Sequence, residues 1–215
     1  MRTMDVEYDE SRLNVSSVRT LSTEQERIVL AVARATTTRY IEARSSRGVD
    51  PPGGVFRGSL SLHAGWREEF FPLTKEVYEM TFPLPVGVLY FEPSPISVSR
   101  DMGSRGMVPG VSERFTGFLS KVIDVPSDGL YTFGVDSDDG TIGTLQYLTN
   151  GMHDVHVLWY DWSHRSMAGR LSEVDVPLTA GTYLLTVHYF EGLDQAGYRV
   201  DVRQSTADSL QARGH

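Results

Sequence analysis

Asp136-Ser137-Asp138-Asp139-Gly140 places three carboxylates within four positions. Carboxylates this close are costly unless they are solvated, hydrogen-bonded or shared by a cation. On a regular strand, neighbours such as Asp138 and Asp139 point to opposite faces. Both reach one ion only where the backbone bends sharply, and a cis peptide is one device, at about 3–4 kcal/mol. The alternative is that the two side chains cap the turn before Gly140 by accepting backbone N–H groups.

Two further groups could do chemistry. His153, His156 and His164, with Asp154 and Asp161, carry the residue types of a zinc site. The segment reads as strand, however, where positions three apart face opposite ways, so the spacing disfavours zinc. Trp159, Tyr160 and Trp162 offer flat rings on which a sugar can stack its C–H face. Trp159 and Trp162 alternate, so one of them at most is exposed, and Trp162 is the candidate ligand residue. No catalytic set emerges: G-x-S-x-G, the P-loop and H-E-x-x-H are all missing.

The elements that must hold these groups are strands. Val122, Ile123 and Val125 run into a Pro126-Ser127-Asp128-Gly129 turn, where Pro presets φ and Gly tolerates a positive one. Leu130 to Val135 then alternates with period two and delivers its end into the acidic stretch. Thr144–Leu148, Val155–Leu158, Val174–Pro177, Tyr183–Tyr189 and Tyr198–Val202 read as further strands. Thr149-Asn150-Gly151 is a hairpin signal, and residues 94–112 read as a long loop.

Earlier in the chain, residues 1–21 read as an arm with a short strand. Residues 23–43 read as a helix, with Thr23 and Glu26 spaced as a capping box. Thr36-Thr37-Thr38 is β-branched and favours strand for its second half. Arg44–Gly58 is linker-like, and Leu60–Phe82 supplies strands or a collar.

Twenty glycines and ten prolines among 215 residues, with abundant Tyr, Phe and Val, suit many strands and tight turns. A net charge of −8 argues against nucleic acid as a partner. No apolar run reaches the roughly 18 residues of a membrane span. The absence of cysteine excludes disulfides and thiolate sites. The opening MRTMDVEYDESRLNV lacks the apolar core of a secretory signal, which points to a cytoplasmic chain or to one that leaves by another route.

RFTGFL, PSDGLYTF, SDDG and VPLTAGTYLLTVHYFEGLDQAG stand in the order of the protective-antigen (PA-fourteen) domain family, and GVLYFEP is similar to its opening strand. The resemblance covers roughly residues 83–204 and implies an all-β, lectin-like antiparallel sandwich. Outside that span the resemblance does not reach, and the division expected is an N-terminal mixed helix and strand attachment region (1–82), the sandwich (83–204) and a polar tail (205–215).

In the lectin-like fungal adhesins of that family, paired Asp residues hold a calcium ion that binds sugar hydroxyls. A second loop adds a ligand, typically Asn. Calcium takes 6–8 oxygens in irregular geometry, which vicinal hydroxyls can complete. Carried over residue by residue, the resemblance implies metal ligands at Asp138, Asp139 and Glu191, with Asp136, Asp194 and Trp162 beside the sugar. Glu191 departs from the pattern and reads equally well as a solvated turn residue.

The function expected is non-enzymatic recognition of a cell-surface glycan or polysaccharide. The setting expected is a spike, fibre or decoration subunit of a virion or phage-like particle, at an outer position because the acidic balance argues against gripping packaged DNA. Neighbouring structural subunits and copies of itself, as a homo-oligomer, are the expected partners. The alternatives are a free-standing bacterial lectin-like protein and a structural spacer without ligand.

Overall fold

In the computed structural model, residues 2–9, 12–17, 19–42, 55–62, 65–72, 87–90, 98–103, 114–149, 154–192 and 195–205 are described. The functional centre of the fold is a seven-stranded sheet packed on a four-stranded one. The larger sheet runs in the order β2 (Asn14–Ser17), β11 (Asp154–Asp161), β10 (Thr141–Tyr147), β13 (Gly181–Glu191), β8 (Phe115–Val125), β5 (Arg67–Pro72), β6 (Gly87–Tyr90). The smaller runs β12 (Ser172–Leu178), β9 (Gly129–Asp138), β14 (Ala196–Gln204), β7 (Val98–Gly103). A separate three-stranded sheet joins β1 (Arg2–Asp9), β4 (Val55–Leu62) and β3 (Ile41–Glu42).

Pairing is antiparallel throughout except where β2 lies parallel to β11. The larger sheet draws on both sides of the residue-83 boundary, since β2 and β5 both precede it.

Period two builds the core. Phe115, Leu119, Ile123 and Val125 of β8 and Tyr183, Leu185, Val187 and Tyr189 of β13 point inward from one sheet. Tyr131, Phe133 and Val135 of β9 and Tyr198, Val200 and Val202 of β14 meet them from the other. Each buried side chain of this size contributes about 1.5–3 kcal/mol of transfer free energy.

The opposite face of the larger sheet is also covered. Helix α1 (Thr23–Tyr40) lays Val29 and Ala33 on Ile142, Val155 and Val157, with Leu21, Tyr160 and Trp162 around them. The helix starts at Thr23 as expected, but the capping box falls one residue earlier than the Thr23 and Glu26 spacing suggests. Ser22 Oγ accepts from the Gln25 amide at 3.3 Å, and Gln25 Oε1 accepts from the Ser22 amide at 2.8 Å. The helix also runs through Thr36–Thr38, because its apolar stripe has a sheet to pack on and that overrides local propensity.

Residues 98–103, read as loop, form the edge strand β7 against β14. Among the described side chains of this polar sequence only Val98 lies in the core, so the strand leaves little alternation to read. The rest of 94–112 and the Asn150-Gly151 turn, like the tail from 206, lie outside the described residues.

His188, on the helix-side face of β13, is buried and stacks on Phe118 with ring centroids 4.4 Å apart and planes at 7°. Thr116 Oγ1 donates to the Tyr189 carbonyl at 2.5 Å, so it must accept from His188 Nε2 at 2.8 Å, which fixes the neutral Nε2–H tautomer. Burial pushes the imidazole down to about 3 from 6.5. The unfolded chain takes up this proton near pH 6.5 and the folded chain does not, so stability falls as pH drops through 6.5 towards 3. The slope is up to about 1.4 kcal/mol per pH unit. Urea denaturation between pH 6.5 and 4.5 should show this slope, and a His188→Gln variant should lose about one proton of it.

Candidate cation and ligand site

The acidic stretch is mostly strand. β9 continues to Asp138, so Asp136, Ser137 and Asp138 pair with Arg199, Tyr198 and Gly197 of β14. The reversal into β10 falls on Asp139, whose φ of 22° is left-handed, and on Gly140. Ser137 Oγ donates to the Asp139 carbonyl at 2.7 Å and braces that conformation. A side chain at Gly140 would meet the Asp161 carbonyl at 2.6 Å and the Ser163 amide at 2.8 Å. Only glycine therefore lets the turn lie against the end of β11. No cis peptide occurs among the described residues; a left-handed Asp139 supplies the bend instead.

That bend turns neighbouring carboxylates toward one place. Asp138, Asp139 and Glu191 each offer an oxygen, and these oxygens lie within 4.8 Å of one another. Asp139 and Glu191 are buried and Asp138 half-buried. Glu191 is thus not a solvated turn residue: it closes β13 on the inward face, and its Oε2 accepts from the Tyr189 hydroxyl at 2.8 Å. Burial first, and then the Glu191 charge, raise the Tyr189 phenol well above its ordinary range, so it stays a donor. Asp194 lies outside the described residues.

Asp139 also does the work of a clamp. Its Oδ2 accepts from the Gly192 amide at 2.8 Å and its Oδ1 from the Arg165 amide at 3.0 Å, with His164 Nδ1 at 3.2 Å. Asp136 acts alike: its Oδ1 accepts from the Ala168 amide at 2.9 Å, with the Arg165 guanidinium 3.6 Å away. Arg165 donates further to the Ser137 carbonyl at 3.1 Å and to Asp161 at 2.6 Å. The capping role weighed for these aspartates is therefore real: Asp138 Oδ1 accepts from the Asp139 amide within the turn at 3.2 Å, and Asp139 and Asp136 accept from the amides of residues 165, 168 and 192 beyond it.

Trp162 packs on His188 and Phe190, at centroid distances of 4.6 and 4.5 Å, on the helix side of the sheet. Trp159 packs on the other side, against the sandwich core. His156 Nδ1 meets Ser16 Oγ at 2.5 Å while His164 meets Asp139, so these two histidines do not converge. His153 is outside the described residues. Arg165 was missed because nothing local marks it: its partners at 136, 137 and 161 meet only in the fold.

The chain matches no protein-family profile and no curated protein. Among solved structures it is similar to the PA14 domain of the MpAFP antifreeze protein, with TM-score 0.47 and 15% identity over 75% of this chain and 89% of that one. It is similar to the epithelial adhesin 9 A domain of Candida glabrata in complex with Galb1-3GlcNAc, with TM-score 0.45 and 15% identity over 72% and 84%. It is also similar to a β-glucosidase of Kluyveromyces marxianus in complex with glucose, with TM-score 0.48 and 15% identity over 71% of this chain but only 18% of that one. The chain thus spans less than a fifth of that enzyme's length. At these identities the likeness is one of fold alone. The two sheets packed over one core resemble a PA14 sandwich in fold.

Asp139→Ala strands the amides of Gly192 and Arg165, at about 1–3 kcal/mol each where they are buried. A loss of at least about 2 kcal/mol in urea denaturation is expected, with faster proteolysis between residues 162 and 171. Asp138→Ala, which removes a 3.2 Å acceptor from the amide of Asp139 within the turn, should cost clearly less.

Proposed function

We propose that this chain is a non-catalytic carbohydrate-binding module whose site is the acidic end of the sandwich, loaded with a divalent cation, calcium in the first instance. One observation carries the reading: Asp138, Asp139 and Glu191, from two distant strands, bring ligand oxygens within 4.8 Å of one another. Two oxygens on one calcium ion stand at most about 5 Å apart, twice its 2.3–2.6 Å bond. The residues therefore fit the ion. Its charge would offset three clustered carboxylates, two of them buried, and its remaining positions are those that vicinal sugar hydroxyls take. Tyr189 orients Glu191 for this, and the Gly192 and Arg165 amides orient Asp139.

The same proposal places the module on a virion or phage-like particle as a spike, fibre or decoration subunit, as a homo-oligomer beside other structural subunits. The net charge of −8 suits an outer position better than contact with packaged DNA. Repetition over a particle would turn weak single-site sugar binding into avidity. Immunogold labelling of purified particles is the check on this placement: signal on the exterior supports it, and protein found only outside particle fractions ends it.

The cation reading predicts that calcium at 100 times its Kd stabilises the fold by about 2.7 kcal/mol, seen as a raised Tm that EDTA reverses. Asp138→Asn and Glu191→Gln should each weaken calcium binding in calorimetry at least tenfold while leaving the calcium-free Tm close to that of the parent. The calcium-dependent part of glycan-array binding should vanish with EDTA and with Asp138→Asn. Calcium-independent Tm together with array binding that survives Asp138→Asn would remove the site from this turn.

A further inference from the structure

Both sheets end on the same side of the molecule. β2 reaches along β11 only as far as Val157, and β12 is the edge of the smaller sheet, paired only with β9. Between the last residues of β11 and the face of β12 lies a cleft of 680 Å³, walled on its third side by the segment from Ser17 to Gln25 that climbs into the helix. This lies within the roughly 300–1,000 Å³ of ordinary small-molecule sites. Its floor is apolar, formed by Val135, Leu158 and Val174, and its rim is charged.

Trp159 is the fixed point of this cleft. It sits opposite Gly143 in the β10–β11 register, and the indole lies so close to Gly143 that any side chain there would collide with the ring. Indole Nε1 donates to Thr141 Oγ1 at 3.2 Å, which sets the ring's rotation. A half-buried aromatic plane immobilised on its own sheet loses little entropy when a ligand stacks on it. Tyr160 follows it into the lining.

Around this plane stand Asp161, Glu173 and Asp175, with Arg19 and Arg165. Three carboxylates against two guanidiniums give a rim that accepts and donates but has no surplus of positive charge. Phosphate-bearing and acidic ligands are therefore disfavoured, and a purely apolar ligand would bury the rim without satisfying it. A molecule with one C–H face and many hydroxyl groups meets both demands.

We propose that this cleft binds a short neutral oligosaccharide, without a cation and separately from the acidic turn. The inference keeps sugar as the ligand class of the module but does not depend on its calcium site. Asp161 and Glu173 take vicinal hydroxyls, Arg19 and Arg165 donate to ring and hydroxyl oxygens, and Trp159 carries the stacked sugar face. The Asp161–Arg165 pair at 2.6 Å is already formed, so this part of the rim is preorganised.

The test is a titration of full-length protein in EDTA with cellotetraose, maltotetraose and chitotetraose, with sialyllactose as the acidic control, followed by indole N–H signals in NMR. A Trp159→Phe variant assigns the Trp159 signal among three tryptophans. The expected result is a shift of that signal with at least one neutral tetrasaccharide and none with sialyllactose. Arg19→Ala, an exposed substitution, should weaken the binding at least fivefold, and Asp138→Asn should leave it unchanged. Sugar binding that requires calcium, is lost in Asp138→Asn and never moves the Trp159 signal overturns the cleft and leaves the acidic-turn reading standing. Binding in EDTA that survives Asp138→Asn, with no calcium effect on Tm, does the reverse. Preferential binding of sialyllactose overturns the neutral class, and no binding by any sugar under either condition overturns both.

Discussion

The buried carboxylate of Asp139 is the constraint on which the site end of the molecule depends. Three segments meet on it: the β9–β10 turn that carries it, the Arg165 amide and the Gly192 amide. A buried charge is tolerable only when it is hydrogen-bonded or paired, and here the backbone supplies both bonds. The consequence is positional. Pairing of β13 with β10 and the Phe190 amide on the Gly140 carbonyl at 3.0 Å bring the end of β13 to the turn, and the clamp on Gly192, the residue after Glu191, fixes it there. The Arg114 amide then donates to the Gly192 carbonyl at 3.0 Å and ties the start of β8 to the same place.

Strain and space follow from that clamp. Asp139 adopts a left-handed φ that non-glycine residues seldom take, which costs of order 1 kcal/mol or more. The Ser137 hydroxyl and the two amides offset it. Gly140 and Gly192 then leave room where backbone or ring atoms press close: Asp161 and Ser163 on the first, and His164 at 2.8 Å from the position a second side chain would need. The cluster of small and acidic residues at 136–140 is thus a packing solution as much as a charge.

Much of this was legible in the residues. The alternation of Leu130–Val135 and Tyr183–Tyr189 gave both inward faces correctly, because period two survives wherever one face is buried. The Asp138-Asp139 pair and Glu191 were picked out before any distance was known, and the fold brings all three together. What failed was local reading of non-local effects. β7 is too polar to look like a strand, and pairing with β14 decided the outcome. Arg165 and the opposition of Gly143 to Trp159 were not readable, since one depends on partners scattered along the chain and the other on strand register.

Arg165 also explains why the acidic turn and the side cleft belong to one mechanical unit. Its main-chain amide is fixed by Asp139, its guanidinium reaches Ser137, Asp136 and Asp161, and its side chain lines the cleft. A residue held at four points cannot move at one end without moving at the other. If charge or coordination at the turn draws Asp139 toward Asp138 and Glu191, the 3.0 Å bond to the Arg165 amide lengthens and the cleft rim shifts with it. If that bond holds, Asp139 stays where the backbone puts it and the turn is preorganised for whatever it binds. Rigid positioning is the more economical outcome, because Asp136 and Asp161 anchor the same guanidinium from two strands. Arg165 thereby keeps the charged turn and the aromatic cleft in fixed relation.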